Sequence, residues 1–418
     1  MVDGYKHTDV GTYPNDWTVE NFGEIISSVQ LGGNYPNNDL DGEIILIKMG
    51  NLNRGHIDLR KKYYIEKGTV PSEIDRLHFG DVLFNTRNTL ELVGKVAIWK
   101  NEANLAYFNS NIMRIKFKED KISSNDFMNL ILNTPTSLYQ LRGIATGTTS
   151  VAAIYPRDLI KIKIPYPTKP EQTAIATALN DANALINNLE SLIDKKRNIK
   201  TGAMQELLTG KIRLNGYTDD WISEPLPNLC WFQEGPGLRN WQFTKSGIKV
   251  INVTNLENGF LNLDRTDRYI SLEEFNRMYK HFEIDEGDIV VASSGNSYGK
   301  VAVVRKRDLP LLMNTSVIRF KSLKNLDNDF LLAFLKSKYF KEQIDLLITG
   351  GAQPNFGPAH LKKIIVKLPK TKKEQNAIAQ ILSEMEKEIQ ELEKKIDKYK
   401  MMKQGMMQSL LTGKIRLV

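Results

Sequence analysis

The residues with the most evident chemistry are polar side chains in loops that follow short apolar segments. Those in the first half of the chain are Lys48, Asn51, Arg54, Asn85, Thr86, Arg87, Asn88, Thr148 and Thr149, and those in the second half are Asn252, Thr254, Asn255, Ser293, Ser294, Asn296, Gln353 and Asn355. Asparagine and glutamine can form two hydrogen bonds with adenine, arginine can do so with guanine, and loop amides can hold phosphates. The set predicts contacts with DNA. Arg87 is the first candidate for a base contact, and an internal salt bridge is the alternative role for its guanidinium.

The same residue types also have a conformational interpretation. Asparagine, threonine and glycine dominate turns for backbone reasons alone, so a single loop of this kind does not distinguish the two readings. The recurrence of such loops at equivalent places in both halves of the chain favours the DNA-contact interpretation.

Enzyme signatures are missing from the sequence. It contains no GxxxxGK[ST] phosphate loop, no HExxH motif, no GxGxxG loop after a strand, and no Asn-Pro-Pro-aromatic motif of amino-methyltransferases. The five histidines, His7, His56, His78, His281 and His360, lack metal-ligand spacing. We therefore predict a non-catalytic binding protein without a metal or cofactor of its own.

The charge of the chain agrees with a polyanionic partner. Its 418 residues carry a formal net charge of +8, and the pI is near 9.1, which favours nucleic acid or an anionic membrane surface. No apolar run approaches the roughly 20 residues needed to cross a bilayer, and the first residues lack the pattern of a signal peptide. Together with a single cysteine, Cys230, these features predict a cytoplasmic protein that does not associate with a membrane.

An internal duplication organises the elements that position these loops. The segment MQELLTGKIRL begins at Met204 and MQSLLTGKIRL at Met407, an offset of 203 residues, and TKPEQTAIA and TKKEQNAIA recur at the same offset. The preceding stretches match more loosely, GDVLF with GDIVV and GKVAI with GKVAV. The sequence thus predicts two variable domains, residues 1–165 and 216–368, and two recurring helical regions, residues 166–215 and 369–418.

Each recurring region has the pattern of a long helix. Its apolar residues alternate at spacings of four and three, which is the heptad seam of a coiled coil. These seam residues are Ile175, Leu179, Ile186, Leu189 and Ile193 in the first region and Ile378, Leu382, Ile389, Leu392 and Ile396 in the second. About 38 residues at ~1.5 Å per residue give a rod of about 57 Å. The pattern leaves open whether the two helices pair with each other or with helices of a partner.

The ends and the interior of the first helix carry further signals, each repeated 203 residues later. Thr168 and Glu171 have the spacing of a capping box, in which side chains satisfy the free amides of the first turn. Gly210 is suited to a left-handed C-terminal cap. Gly202 lies inside the helix, where glycine costs about 1 kcal/mol relative to alanine, so we expect a kink or a close helix approach there.

The variable domains combine strand and helix signals. Short apolar or alternating runs such as EIILIKM, GDVLFN, GKVAIW and NIMRIKF predict strands, and SSNDFMNLILN and NDFLLAFLKSKYF predict helices between them. The fold class is therefore mixed α/β or α+β. A tandem duplication whose copies pair would have a pseudo-two-fold axis, like the near two-fold symmetry of duplex DNA.

At this point the residues match a known pattern. GDVLF and GKVAI, a TGTTS or TGGAQPN loop, a basic apolar strand such as IKIKIPYP or KKIIVKLPK, and the doubled EQ-helix-LLTGKIRL unit resemble the DNA-specificity (S) subunit of type I restriction-modification systems. The resemblance covers nearly all of the chain, and the doubled helical unit is its most specific part. The first copy departs from the pattern in having TGTTSVAAIY where the second has TGGAQPNF.

The resemblance implies a division of labour among subunits. The two variable domains would be target-recognition domains, each recognising one half of a bipartite asymmetric DNA target, and the two helices would pack as an antiparallel coiled coil that fixes the spacer. Two modification subunits that use S-adenosylmethionine to methylate adenine would dock on this chain. Two restriction subunits that use ATP and Mg²⁺ would join them, and no catalysis would belong to this chain.

Two other functions compete with this one. A self-sufficient DNA-modifying enzyme would need metal-binding carboxylates with a catalytic lysine, and no such cluster is evident in the sequence. A coiled-coil scaffold without DNA specificity would explain the helices but not the duplicated polar loops on a basic chain. The sequence therefore favours the specificity subunit.

Overall fold

The computed structural model of the chain describes residues 4–148, 150–257, 259–348 and 354–417. Two compact units are present, one made of Met1–Leu189 and Lys395–Val418 and the other of Glu190–Lys394. We call them the first and second unit. Both boundaries between them fall inside the long helices, so each unit contains a segment of both helices. The division into four consecutive segments made from the sequence stays a prediction.

The first unit contains fifteen strands among the described residues. They are β1 (Tyr5–Thr8), β2 (Gly11–Pro14), β3 (Thr18–Asn21), β4 (Ile26–Leu31), β5 (Asn37–Asn38), β6 (Ile45–Ile47), β7 (Tyr64–Ile65), β8 (Val82–Asn85), β9 (Arg87–Asn88), β10 (Val96–Ile98), β11 (Ala106–Phe108), β12 (Ile112–Phe117), β13 (Thr146–Gly147), β14 (Ala152–Ala153) and β15 (Lys163–Tyr166). Its short helices are α1 (Phe22–Ile25), α2 (Asn125–Leu132), α3 (Pro135–Ile144) and α4 (Pro156–Leu159). The first long helix is α5 (Lys169–Leu207).

Two four-stranded sheets form the body of the first unit. One has the order β10-β8-β12-β4 and is antiparallel throughout, and the other has the order β11-β6-β7-β5 with a parallel β11–β6 pair. The apolar runs predicted as strands form β6, β8, β10 and β12, and most of their side chains are buried. Helix α2 packs near β10, where Phe127 and Ile131 enter the core.

Local signals explain where the helices of this unit begin. The Ser124 side chain accepts the Phe127 amide at the start of α2. The Thr134 side chain caps α3, which has Pro135 in its first turn. Proline tolerates that position because its missing N–H would have had no helical partner.

The second unit repeats this arrangement. Its strands are β16 (Trp221–Pro225), β17 (Cys230–Glu234), β18 (Ile248–Ile251), β19 (Tyr269–Ile270), β20 (Glu283–Ile284), β21 (Ile289–Ala292), β22 (Val301–Val303), β23 (Leu311–Met313), β24 (Val317–Ser322) and β25 (Ile365–Pro369). Its short helices are α6 (Leu226–Leu229), α7 (Leu272–Glu274), α8 (Asn328–Leu335), α9 (Lys338–Leu347) and α10 (Pro358–Leu361), and its long helix is α11 (Lys372–Leu410).

The antiparallel sheet has the same strand order in both units, and the mixed sheets share three strands, with β11-β6-β7 equivalent to β23-β18-β19. Their fourth strand differs, because β5 lies beside β7 in the first unit and β20 lies beside β23 in the second. One antiparallel sheet has the order β17-β24-β21-β22, and the other has the order β19-β18-β23-β20 with a parallel β18–β23 pair. Strands β4, β12, β8 and β10 thus correspond to β17, β24, β21 and β22. The duplication read from the sequence is confirmed in the order of the shared strands, and the mixed α/β fold class with it.

The two long helices have 39 residues each and pack together as predicted. Nine of the ten predicted seam residues are buried, and Leu392 is half-buried. Within the second unit, Lys200 of α5 binds Glu386 of α11, and Arg197 binds Glu393 with 2.5 Å between Nη2 and Oε1. Lys200 follows Arg197 along α5, whereas its partner Glu386 precedes Glu393 along α11. The helices are therefore antiparallel.

The glutamine of each EQ pair ties its helix to the neighbouring domain. In the first unit the buried Gln172 side chain accepts the Ser123 amide at 3.0 Å and donates to the Lys121 carbonyl at 2.9 Å. In the second unit the buried Gln375 side chain accepts the Asp327 amide at 2.8 Å. The Gln172 and Gln375 side chains thus bond backbone groups just before α2 and α8. Each glutamine thereby fixes the orientation of its domain relative to the start of its long helix.

The helix ends differ in part from the sequence expectations. Gly210 and Gly413 both have φ of +68°, which confirms the left-handed caps. The predicted capping box is replaced, because the Glu171 carboxylate accepts hydrogen bonds from Arg416 rather than from the start of its own helix. The second copy makes the same exchange, and Glu374 accepts hydrogen bonds from Arg213.

The interior glycines do not mark a close approach. A Cβ atom built at Gly202 or at Gly405 would meet no atom within 4 Å among the described residues, and both helices continue through these positions. The expectation of a tight helix contact at these glycines is therefore wrong, and that of a kink stays a prediction.

Candidate nucleic-acid interface

In the first unit, two of the predicted loops form one small sheet. Strand β9 follows β8 directly, and its Arg87 lies opposite Ala153 of β14. Strand β14 in turn pairs with β13, so that Thr146 lies opposite Ala153. The structure thus brings the Asn85–Asn88 loop and the threonine-rich loop together, although about 60 residues separate them in the sequence.

The second unit joins the equivalent segments by the same backbone contacts. The Ser293 amide donates to the Ser316 carbonyl at 2.8 Å, and the Phe356 amide donates to the Ser293 carbonyl at 3.1 Å. Ser294 forms a β-bridge with Asn355. The first unit has the same pair of hydrogen bonds around Thr86, so Thr86 is the structural equivalent of Ser293.

Five candidate side chains are buried: Asn51, Asn85, Thr86, Asn255 and Ser293. The Asn51 amide group donates to the carbonyls of Asp58 and Lys61 at 3.0 and 2.7 Å, and its oxygen accepts the Lys48 amide. Asn255 closes the equivalent turn of the second unit in the same way. These two asparagines shape their loops from inside, and we remove them from the side chains that could reach a base.

Asn85, Thr86 and Ser293 lie beneath the exposed part of their loops. The Thr86 hydroxyl donates to the Asn111 carbonyl at 2.9 Å, and the Asn85 side-chain oxygen accepts the Arg87 amide at 3.1 Å. Within the described part of the chain, neither Asn85 Nδ2 nor Ser293 Oγ has a hydrogen-bond partner. Buried polar groups without a protein partner are commonly satisfied by water or a ligand.

Five other candidates are exposed: Arg87, Thr148, Thr254, Asn296 and Asn355. Arg87 is the longest of them, and among the described residues its guanidinium has no hydrogen-bond or ion-pair partner. An internal salt bridge, the competing role for this residue, is thus not formed with the described part of the chain. Asn88 and Ser294 are half-buried at the edge of the same loops. Thr149 and Gln353 lie outside the described residues.

The remaining candidates have partners inside their own unit. Lys48 Nζ lies 3.1 Å from Asn37 Oδ1 and 4.4 Å from the centre of the Tyr63 ring. The Asn252 side chain accepts hydrogen bonds from the Thr254 amide and hydroxyl at 2.9 and 2.6 Å. Its turn lies against the Gly295–Ser297 turn, so two candidate loops also meet in the second unit.

Arg54 reaches the turn between β9 and β10. Its guanidinium donates to the carbonyls of Gly94 and Glu91, both at 3.4 Å. Burial lowers the pKa of Arg54, and the nearby Arg142 lowers it further. Burial and then Arg54 likewise lower the pKa of Lys95. The sequence candidates did not include Lys95 and Arg142, although Lys95 stands in the repeated GKVA motif.

Among the described residues, no group of three or more His, Cys, Asp or Glu side chains is placed to hold a metal ion. In the same part of the chain, no helix is both long and apolar enough to span a bilayer.

Two copies of one domain, each with paired polar loops and each containing segments of the same two helices, define a duplicated recognition protein. A family model described as the type I restriction modification DNA specificity domain matches residues 14–197 and 220–398. The chain therefore belongs to the family of specificity subunits of type I restriction-modification systems.

Known relatives share nearly the whole length of the chain. It is 25% identical to the type I restriction enzyme MjaVIII specificity subunit of Methanocaldococcus jannaschii, over 97% of this chain and 94% of that protein. The putative MjaX specificity subunit of the same organism is also 25% identical, over 99% and 97%.

Solved structures share the fold. The S subunit of a type I restriction-modification system from M. genitalium aligns with a TM-score of 0.58 at 16% identity, covering 94% of this chain and 96% of that chain. A chain from a study of complex assembly and conformational transition of a type I restriction-modification system aligns with the same TM-score at 13% identity, covering 96% and 99%.

Proposed function

We propose that this chain recognises a bipartite, asymmetric DNA target, with one half recognised by each unit, and that it has no catalytic activity of its own. The observation that carries the proposal is the contrast between backbone and side chains in the paired loops. Thr86 and Ser293 make the same backbone hydrogen bonds in the two units. The next position outward is Arg87 in one unit and Ser294 in the other.

This contrast fits recognition of two unlike half-sites. A shared backbone would hold each loop against the duplex in the same way, while different side chains would bond different base edges. A scaffold without DNA specificity would account for the shared backbone of two duplicated loops, but not for the exposed Arg87, whose guanidinium has no partner among the described residues.

The long helices, in this proposal, fix the number of unread base pairs between the half-sites. A heptad inserted into both helices would add about 10.5 Å at ~1.5 Å per residue. Duplex DNA advances roughly 34 to 36 Å per 10 to 10.5 base pairs, so the spacer should lengthen by about three base pairs. A heptad inserted into α5 alone is the control, because it would misalign the pairing of Lys200 with Glu386 and disturb folding instead.

The partners follow from the family. We propose that two modification subunits, which bind S-adenosylmethionine and methylate adenine, dock on this chain, and that two restriction subunits with ATP and Mg²⁺ complete the complex. The names of the relatives, specificity subunits of type I restriction enzymes, support such an assembly.

The test is methylome sequencing of a host with and without the gene, together with binding of the purified complex to duplexes that carry the deduced target. We expect one bipartite adenine-methylated sequence to disappear with the gene, and the pure chain to show no methyltransferase, nuclease or ATPase turnover. An unchanged methylome, or turnover that survives further purification, would contradict the proposal.

A further inference from the structure

Three cationic residues of the first unit lie on or beside one short stretch of backbone. Arg54 donates to the Gly94 carbonyl, and the Gly55 amide next to it donates to the Val96 carbonyl at 2.7 Å. Lys95 lies between these two acceptors. Beneath Gly94 packs Leu141 of α3, within 3.4 Å of the position that a Cβ would take, and Arg142 is the next residue of that helix.

Arg54 is close enough to both Lys95 and Arg142 for their charges to repel. Arg142 lowers the pKa of Arg54, and Arg54 lowers that of Lys95, in each case in addition to burial. Within the described part of the chain, none of the three forms an ion pair with a carboxylate. Arg142 is exposed and the other two are half-buried. Such an arrangement is stabilised by an anion from outside the chain.

At the equivalent place in the second unit, each positive charge is either paired with a carboxylate or replaced by an uncharged or acidic side chain. Lys300 is the equivalent of Lys95, and its Nζ lies 3.9 Å from Glu257, which also pairs with Arg265 at 3.2 Å. The equivalent of Arg142 is Asp345, and its carboxylate accepts hydrogen bonds from Tyr298 and Lys341 at 2.7 and 2.5 Å. The residue at the position of Arg54 is Asn258, so at these three positions the first unit has three positive charges and the second has Asn258, Lys300 and Asp345.

The cluster borders the exposed loops of its own unit. Arg142 is in the last turn of α3, and β13 begins four residues later at Thr146. Arg54 bonds the turn that follows Arg87 and Asn88. An anion held by the cluster would therefore lie beside the loops that, in the proposed function, contact DNA, which makes a backbone phosphate of the same duplex the fitting ligand.

We propose that Arg54, Lys95 and Arg142 form a DNA-phosphate site of the first unit that has no counterpart at the equivalent place in the second. The inference rests on the proposed function. Its consequence is that the two units contribute unequally to sequence-independent affinity. The first unit supplies phosphate contacts here that the second does not.

The test is the salt dependence of DNA binding by the complex with its modification partner, measured between about 50 and 200 mM salt on target and non-target duplexes. Each phosphate contact adds about 0.9 to the slope of log affinity against log salt. Arg142→Gln should lower the slope by about 0.9 and weaken binding on the order of tenfold near 0.1 M salt. The triple variant with Arg54→Gln and Lys95→Gln should lower the slope by roughly 2 to 3. Both duplexes should be affected alike.

Lys300→Gln is the matched control, because the lysine it replaces is already paired with Glu257; its slope should equal that of the unaltered complex. An unchanged slope for the triple variant, or a loss confined to the target duplex, would overturn the inference. If the triple variant does not fold, Arg142→Gln alone decides, since its exposed guanidinium makes no hydrogen bond to the described residues. Failure of the proposed function would look different: the unaltered complex would not distinguish target from non-target DNA.

Discussion

Arg416 binds Glu171 through two hydrogen bonds, 2.5 Å from Nε to Oε1 and 2.7 Å from Nη2 to Oε2, although 245 residues separate them in the sequence. The glutamate is fully buried at the start of α5, and the arginine follows the end of α11. Arg213 and Glu374 form the same pair in the second unit, at 2.8 and 2.9 Å. The two most recognisable motifs of the chain, EQ and LLTGKIRL, are therefore the two sides of one contact.

Removing Arg416 should destabilise the first unit strongly. Arg416→Ala leaves the buried Glu171 carboxylate without its partner, and breaking a buried pair in this way costs about 3 kcal/mol or more. Denaturant unfolding measures the loss, and hydrogen exchange of the amides at the start of α5 locates it. Asp16→Asn is the control: Asp16 also pairs with Arg416 but is 53% exposed, so it should cost about 1 kcal/mol or less. Equal losses in the free energy of unfolding for the two variants would contradict a dominant role for the buried Glu171 carboxylate.

Alanine at the interior glycines should stabilise the helices. Gly202→Ala and Gly405→Ala each place a Cβ in open space, and alanine is favoured over glycine in a helix by about 0.8 to 1.0 kcal/mol. Denaturation midpoints of the isolated chain measure the gain. If either variant is stabilised but no longer supports methylation with the modification partner, that glycine is part of a docking surface. A loss of stability would show that the helix has a contact there that the structure lacks.

The single cysteine should be unreactive in the folded chain. Cys230 is buried on β17, and burial raises the pKa of its thiol to about 12. The nucleophile is the thiolate. Because the pKa is raised, the thiolate of Cys230 is substantially populated only as the pH approaches 12. We expect no alkylation by iodoacetamide at pH 8 in native buffer and rapid alkylation at the same pH in denaturant. Rapid modification of the native chain would place Cys230 at the surface.

Much of this fold follows from patterns within short stretches of the chain. The heptad spacing of Ile378, Leu382 and Ile389 identifies α11 because one buried face of a helix recurs every three to four residues. The partners of the charged residues at the helix ends were not predictable in the same way. Glu171 has the spacing of a capping box, but its partner depends on the antiparallel return of α11, which no local pattern encodes.

The candidate interface shows the same limit. Asn51 and Asp58 lie in a turn with the residue types of a DNA-contacting loop. The Asn51 amide group, however, already donates both of its hydrogen bonds to backbone carbonyls of this segment. An asparagine that closes a turn and one that contacts a base have the same letter and similar neighbours. Arg142 is the converse case. The sequence gives no signal for a lone arginine near the end of a helix, and it becomes a candidate only because the structure places it near Arg54 and Lys95.

The most direct test of recognition of one half-site by each unit is methylome sequencing of hosts that carry single variants of the exposed loop residues. Arg87→Ala, in the first unit, should relax one base position in one half-site, since a guanidinium bonded twice to guanine gives about 1 to 3 kcal/mol of discrimination. Asn355→Ala should relax only the other half-site, and Arg157→Ala, at an exposed residue outside these loops, should leave the methylome unchanged. Relaxation of both half-sites by Arg87→Ala alone would contradict independent recognition by the two units.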